Sequence, residues 1–87
     1  MKIKKGIFMR PSGDGAFIVG IGEAAKALNG MIKLNDTGMW LFDEIKKECS
    51  KEELLAAMKE RYEGVDEDVL KADLEAFLSM LSPVIEE

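Results

Sequence analysis

The stretch Asn29-Gly-Met-Ile-Lys-Leu-Asn-Asp-Thr-Gly-Met-Trp40 divides the chain into a strand-rich part and a helix-rich part. An Asn-Gly pair is typical of a tight turn, so it predicts the start of a short strand from Met31 to Leu34. Asn35 or Asp36 follows as a helix cap. Gly38 in the first helical turn costs about 1 kcal/mol relative to alanine, so we expect it to permit the close approach of another backbone.

The sequence before this stretch predicts a β-hairpin. Ile3 to Arg10 alternates imperfectly and is rich in β-branched residues, which indicates a first strand. Ala16 to Ile21 is a continuous apolar run, typical of a central strand with both faces buried, and Pro11 to Gly15 predicts the turn between the two. Gly22 to Leu28 is too short for an independent helix, so we expect a connection or a bent strand edge.

The sequence after Trp40 predicts helices. The first runs to about Glu48, with an apolar face that extends to Cys49. Ser50-Lys-Glu-Glu53 is a capping box that starts the second helix, and Gly64 is placed to end it. Asp66 is the predicted cap of the third helix, whose core stripe follows the spacing i, i+4, i+7, i+11: Leu70, Leu74, Phe77 and Leu81.

These elements predict an α+β, winged-helix-like fold, with a three-stranded antiparallel sheet followed by a three-helix bundle. At 87 residues, we expect one domain over residues 1–87. Arg10, Pro11 and Asp14 interrupt any signal-like segment, and the apolar runs are too short to cross a membrane. We therefore expect a cytoplasmic protein with no membrane partner.

The residue inventory argues against an enzyme. The chain has no histidine and one cysteine, Cys49, which removes imidazole-based catalysis and cysteine metal clusters. The remaining carboxylates are scattered over helix surfaces. We expect no catalytic residues, no cofactor and no metal.

Charge is distributed unevenly along the chain. Residues 1–35 carry six Lys or Arg against two Asp or Glu, whereas residues 36–87 carry six against fifteen. Such an acidic helical half would be repelled by phosphate backbones, so we expect no nucleic-acid partner. A winged-helix regulator of nucleic acid and a protein–protein adaptor remain the alternative functions.

Three segments together resemble the PqqD-like proteins. The run from Leu28 to Phe42 resembles the family's "NG-hydrophobic-LN-acid-TG" signature, and two later segments, Ser50 to Tyr62 and Val65 to Leu81, match in order and spacing. The resemblance implies a non-catalytic peptide chaperone, also called a RiPP recognition element. Such a domain binds the leader segment of a ribosomally made precursor peptide and presents it to a modifying enzyme, often a radical S-adenosylmethionine enzyme.

The resemblance also implies where the peptide binds. In the family the leader is added as a strand beside the third strand, in a cleft closed by the third helix. An edge strand offers unpaired N–H and C=O groups for such addition, and an unoccupied edge could also pair with a second copy, so monomer and homodimer both stay open. The expected peptide-binding residues are Met31, Ile32, Lys33, Leu34, Val69, Asp73, Ala76, Phe77 and Met80.

Overall fold

The computed structural model describes residues 1–28 and 31–86, and within them the chain forms five strands and three α-helices. The strands are β1 Lys2–Ile3, β2 Ile7–Ser12, β3 Gly15–Gly20, β4 Ile32–Leu34 and β5 Ile85–Glu86. The helices are α1 Asp36–Lys46, α2 Lys51–Arg61 and α3 Glu67–Leu81. The predicted α+β fold, three antiparallel strands followed by three helices, is confirmed.

The main sheet has the order β2-β3-β4 and is antiparallel throughout. The turn of the β2–β3 hairpin is shorter than the predicted Pro11 to Gly15, because Pro11 and Ser12 pair with Ala16 and Gly15. Gly13 has φ 61°, which lets the chain reverse within two residues. Pro11 is tolerated in β2 because β2 forms an edge of this sheet.

The predicted first strand, Ile3 to Arg10, is wrong in its bounds. Gly6 has φ 89°, and the chain turns there, so that the sheet strand begins only at Ile7. Residues Lys2 and Ile3 instead pair with Glu86 and Ile85 in a separate two-stranded sheet. Local alternation could not indicate this pairing, because its two strands come from opposite ends of the chain.

Strand β3 and the two segments that follow it also differ in part from expectation. Ala16 and Ile18 are buried, but Phe17 and Val19 on the other face are only half-buried, so the prediction of burial on both faces is wrong. Residues 22–27 form a 3₁₀ helix between β3 and β4 in the chain order, which agrees with the expected connection and not with a bent strand edge. The predicted strand from Met31 starts one residue later, at Ile32, and the predicted Asn29-Gly30 turn lies outside the described residues.

The helices cover one face of the sheet and enclose the core. The predicted stripe of α3 is buried, with Leu70, Leu74, Phe77 and Leu81 between 0% and 7% exposed. Side chains from α1 and α2, among them Phe42 and Met58, complete this core with Leu34 of β4. The first helix ends at Lys46, so Cys49 lies outside it, in a half-buried position after Glu48 turns the chain with φ 62°.

Candidate functional site

Strand β4 is an open edge of the main sheet. It pairs with β3 on one side, through Ala16 with Leu34 and Ile18 with Ile32, and its other side has no partner strand within the described residues. The carbonyl oxygen of Leu34 is directed towards Gly15 of β3. Because backbone groups alternate along a strand, the N–H and C=O of Lys33 are then directed to the open edge.

The capping of α1 fixes the end of this edge. Asn35 accepts a hydrogen bond through Oδ1 from the Gly38 N–H at 2.9 Å, so the chain passes directly from β4 into α1. Gly38 is buried, and a Cβ built on it would lie 3.2 Å from Leu34 Cδ2. The predicted close neighbour of Gly38 is therefore a side chain, that of Leu34, and not a backbone.

A cavity of about 690 Å³ lies between this edge and α3. This volume is within the range of about 300–1,000 Å³ that is typical of ligand-binding clefts. Leu34, Leu41 and Phe77 are buried side chains that contribute apolar surface to it, and Met80, 45% exposed, lines its α3 side. The full lining set is Asp14, Gly15, Lys33, Leu34, Asn35, Thr37, Gly38, Leu41, Asp73, Ala76, Phe77 and Met80. We call this cavity the β4–α3 groove.

The charged side chains of the β4–α3 groove come from three elements. Lys33 of β4 lies 4.0 Å from Asp14 at the hairpin turn, measured from Nζ to Oδ1, and both are exposed. Asp73 is an exposed residue of α3 on the other side of the groove. The groove therefore combines an apolar floor with a rim that carries both signs of charge.

A polar cluster adjoins the groove at Thr37. Thr37 Oγ1 lies 3.1 Å from the Tyr62 hydroxyl, and Arg61 Nε donates to the same hydroxyl at 3.3 Å. Arg61 Cζ lies 4.8 Å from the centre of the Trp40 ring, within the range of a cation–π contact. The hydrogen bond with Thr37 is the main reason that the pKa of Tyr62 is lowered. We call these four residues the Arg61 cluster.

The sequence of this chain also matches a known protein family. A family model described as coenzyme PQQ synthesis protein D (PqqD) matches residues 7–82. The chain belongs to the PqqD family. The matched span includes the main sheet and all three helices, and therefore every residue that lines the β4–α3 groove of this PqqD-family chain.

A solved structure has the same fold as this PqqD-family protein. It is described as TbiB1 in complex with the TbiA(beta) leader peptide, and it matches with a TM-score of 0.72 at 21% sequence identity. The match covers 94% of this chain and 88% of that chain. At this identity the likeness concerns the fold. Among curated proteins, no sequence matches this chain.

The structure brings together most of the residues that were expected to bind peptide. Lys33, Leu34, Asp73, Ala76, Phe77 and Met80 all line the β4–α3 groove. Ile32 belongs to β4 but its half-buried side chain packs against the core, and Met31, 76% exposed, lies outside the strand. Val69 is 50% exposed on α3 and does not line the groove.

Several groove residues of this PqqD-family protein were not among the expected peptide-binding residues. Asp14 comes from the hairpin turn, Gly15 from the start of β3, and Thr37, Gly38 and Leu41 from the first turns of α1. Gly38 carried a usable signal, because a glycine in the first turn of a helix is costly unless something lies against it. Thr37 had no signal beyond its place in the TG pair of the family signature, since a threonine after a cap is ordinary in any helix.

Cys49, the one cysteine of the sequence, does not line the β4–α3 groove. Burial raises the pKa of the Cys49 thiol, which favours its unreactive protonated form. Residues 1–28 and 31–86 contain no cluster of acidic or sulfur side chains suited to a metal ion. Among the helices described, none has the length and apolar character needed to cross a membrane.

Proposed function

We propose that this protein binds the leader segment of a ribosomally made precursor peptide as an additional strand on β4, in the β4–α3 groove. The observation that carries this proposal is the open edge of β4, which borders a cavity whose opposite side is α3. Family membership and the fold shared with TbiB1, which was solved with a leader peptide, support the same assignment.

In strand addition, the peptide is held both by backbone hydrogen bonds and by contacts of its side chains. The outward N–H and C=O of Lys33 would exchange two hydrogen bonds with one peptide residue, which fixes the register of the added strand. Alternate side chains of that strand would then point into the groove, towards Leu41 and Phe77, and the others away from it. The thioether of Met80 adapts its shape to the side chain that enters.

The bound peptide would be presented to a separate modifying enzyme, and this protein would take no part in the chemistry. A radical S-adenosylmethionine enzyme is the proposed partner class, on the strength of the family. The nucleic-acid alternative is disfavoured, because α3 exposes Glu67, Asp68, Asp73 and Glu75 against a single basic residue, Lys71. A recognition helix with this charge would be repelled by phosphate.

Amide hydrogen exchange tests the proposal directly. The ligand is a synthetic peptide with the leader sequence of the precursor encoded beside this protein's gene. We expect the amide of Lys33 to exchange more slowly when the peptide is bound, because it gains a carbonyl partner. The amides of Ile32 and Leu34, which face β3, should change less. Protection confined to β2, at the other edge of the sheet, would rule out this binding site.

A second experiment distinguishes strand addition from binding through peptide side chains alone. N-methylation of one peptide residue at a time removes a single backbone donor without removing a side chain. We expect affinity to fall only when the methylated residue is the one paired with Lys33, with neighbouring residues nearly unaffected. A uniform loss, or none at any position, would contradict strand addition.

A further inference from the structure

The Arg61 cluster has more hydrogen-bond donors than acceptors. A guanidinium carries five N–H donors and no acceptor, and Arg61 uses one of them on the Tyr62 hydroxyl. In the 3.1 Å contact between Tyr62 and Thr37, one hydroxyl donates and the other accepts. Whichever donates, one hydroxyl hydrogen and four guanidinium N–H groups are left for further acceptors.

The acidic helices do not satisfy these donors. Lys51, Lys59 and Lys71 each form an ion pair with a glutamate of α3. Arg61, on the same acidic half of the protein, forms no ion pair with any described residue. Its guanidinium is instead held over the Trp40 ring. The side chain is thus positioned without being neutralised.

The position of the cluster connects it to the groove. Thr37 lines the β4–α3 groove and also contacts the Tyr62 hydroxyl, which in turn contacts Arg61. Two hydrogen-bond distances, 3.1 Å and 3.3 Å, therefore separate the groove lining from the cation. A peptide side chain that left the groove past Thr37 would therefore be close to the guanidinium.

We infer that Arg61, with the hydroxyls of Thr37 and Tyr62, binds the carboxylate of an aspartate or glutamate in the bound peptide. This inference rests on the proposed function and names a specificity-determining residue for it. A carboxylate has two acceptor oxygens and no donor, so it matches both the spare donors and the charge of the cluster. Holding the guanidinium over Trp40 reduces the freedom that Arg61 loses on binding.

The charged residues that line the groove limit the preference for an acidic peptide residue to the part of the peptide near Thr37. Asp14, Asp73 and Lys33 are the charged residues of the groove lining, and Lys33 already lies 4.0 Å from Asp14, so the lining keeps one net negative charge that would repel a peptide carboxylate. An acidic residue is therefore favoured only where the peptide passes Thr37. The expected leader has an apolar side chain in the groove and one acidic side chain adjacent to it.

A double-mutant cycle tests the inference. The probe is the same synthetic leader peptide with an amidated C-terminus, so that its only carboxylates are side chains. Each aspartate is changed to asparagine and each glutamate to glutamine in turn. At one position we expect about fivefold weaker binding to the native protein, and less than a twofold effect on the Arg61→Gln variant. Lys59→Gln, which removes the same charge from the same turn of α2, should retain the fivefold effect.

The fluorescence of Trp40 provides an independent measurement, because Trp40 is the only tryptophan of the sequence and its ring lies beneath the Arg61 guanidinium. Its fluorescence should change on addition of the native peptide and much less with the peptide that lacks the acidic side chain. A bound segment without an acidic residue, or equal losses for the native protein and Arg61→Gln, would overturn the inference. If Lys33 nevertheless becomes protected from exchange, the proposed function survives; without that protection, both fail.

Discussion

Leu34, the last residue of β4, lies against Gly38 in the first turn of α1, where a Cβ would come within 3.3 Å of the Leu34 Cβ. Leu34 is 1% exposed, so its side chain has little room to move away. This contact joins the open edge of the sheet to the first helix. The position of the edge therefore depends on the absence of a side chain at residue 38.

The substitution Gly38→Ala tests this dependence. Helix propensity alone would stabilise the protein by about 1 kcal/mol, whereas overpacking a buried contact costs about 1–3 kcal/mol. We expect the free energy of unfolding to fall by about 1 kcal/mol in chemical denaturation. Ser79→Ala, at an exposed position of α3, should show the propensity gain without the clash. Stabilisation by Gly38→Ala as well as by Ser79→Ala would mean that Leu34 adjusts freely.

The α3 side of the β4–α3 groove can be blocked without disturbing the core. Ala76 lines the groove and is exposed, so Ala76→Arg should fill it and weaken leader-peptide binding by more than about tenfold, as measured by calorimetry. Ala72→Arg is the matched control, since Ala72 is exposed one turn earlier on α3 and does not line the groove. If both variants lost binding equally, the assignment of the peptide site to the Ala76 side of α3 would be wrong.

Glu48 has an unfavourable backbone conformation that glycine would relieve. Its φ of 62° ends α1 in the left-handed region, which costs an ordinary residue about 1–2 kcal/mol. We expect Glu48→Gly to raise the free energy of unfolding by about 1 kcal/mol, after allowance for the flexibility of glycine in the unfolded chain. Lys47→Gly, one residue earlier at φ −80°, should lower it instead. A loss of stability in both variants would contradict this account.

The capping box of α2 should make stability depend on pH. Glu53 accepts a hydrogen bond from the Ser50 N–H at 2.9 Å, and this bond holds the pKa of Glu53 below the ordinary glutamate value of about 4.3. A carboxyl whose pKa is lower in the folded state contributes stability above the unfolded pKa and loses it as the pH falls through the folded pKa.

Thermal unfolding of Glu53→Ala at several pH values checks this contribution. We expect the variant to be less stable than the native protein near neutral pH, with a difference that shrinks as the pH falls below about 4. Glu52→Ala removes a charge from the same helical turn but leaves the box intact, so its effect should be smaller at neutral pH. A difference that does not vary with pH would show that the ionised form is not needed.

The features that could be predicted from the sequence are those set by neighbouring residues. The caps Asn35, Ser50 and Asp66 all accept the expected backbone hydrogen bonds, because capping depends on three or four consecutive residues. The stripe from Leu70 to Leu81 is buried as its period indicated. The contribution of β4 and α3 to one groove followed from the family resemblance more than from any local pattern.

The features that could not be predicted depend on distant parts of the chain. The pairing of Lys2 with Glu86 joins opposite ends of the sequence, and no local pattern encodes it. Tyr62 is the C-cap of α2 and packs against the core, while its hydroxyl contacts Thr37 of α1 and Arg61. The contact with Thr37 depends on how the end of α2 packs beside α1, and no local pattern encodes that packing.

The shortness of β4 has a consequence for how a peptide would be held. Three residues of strand span about 10 Å, so the edge can fix only a few residues of any added chain. The remainder of a longer peptide would extend freely on both sides. The protein would then hold only a short segment of the peptide. The part of the peptide to be modified would stay mobile enough to enter the active site of a separate enzyme.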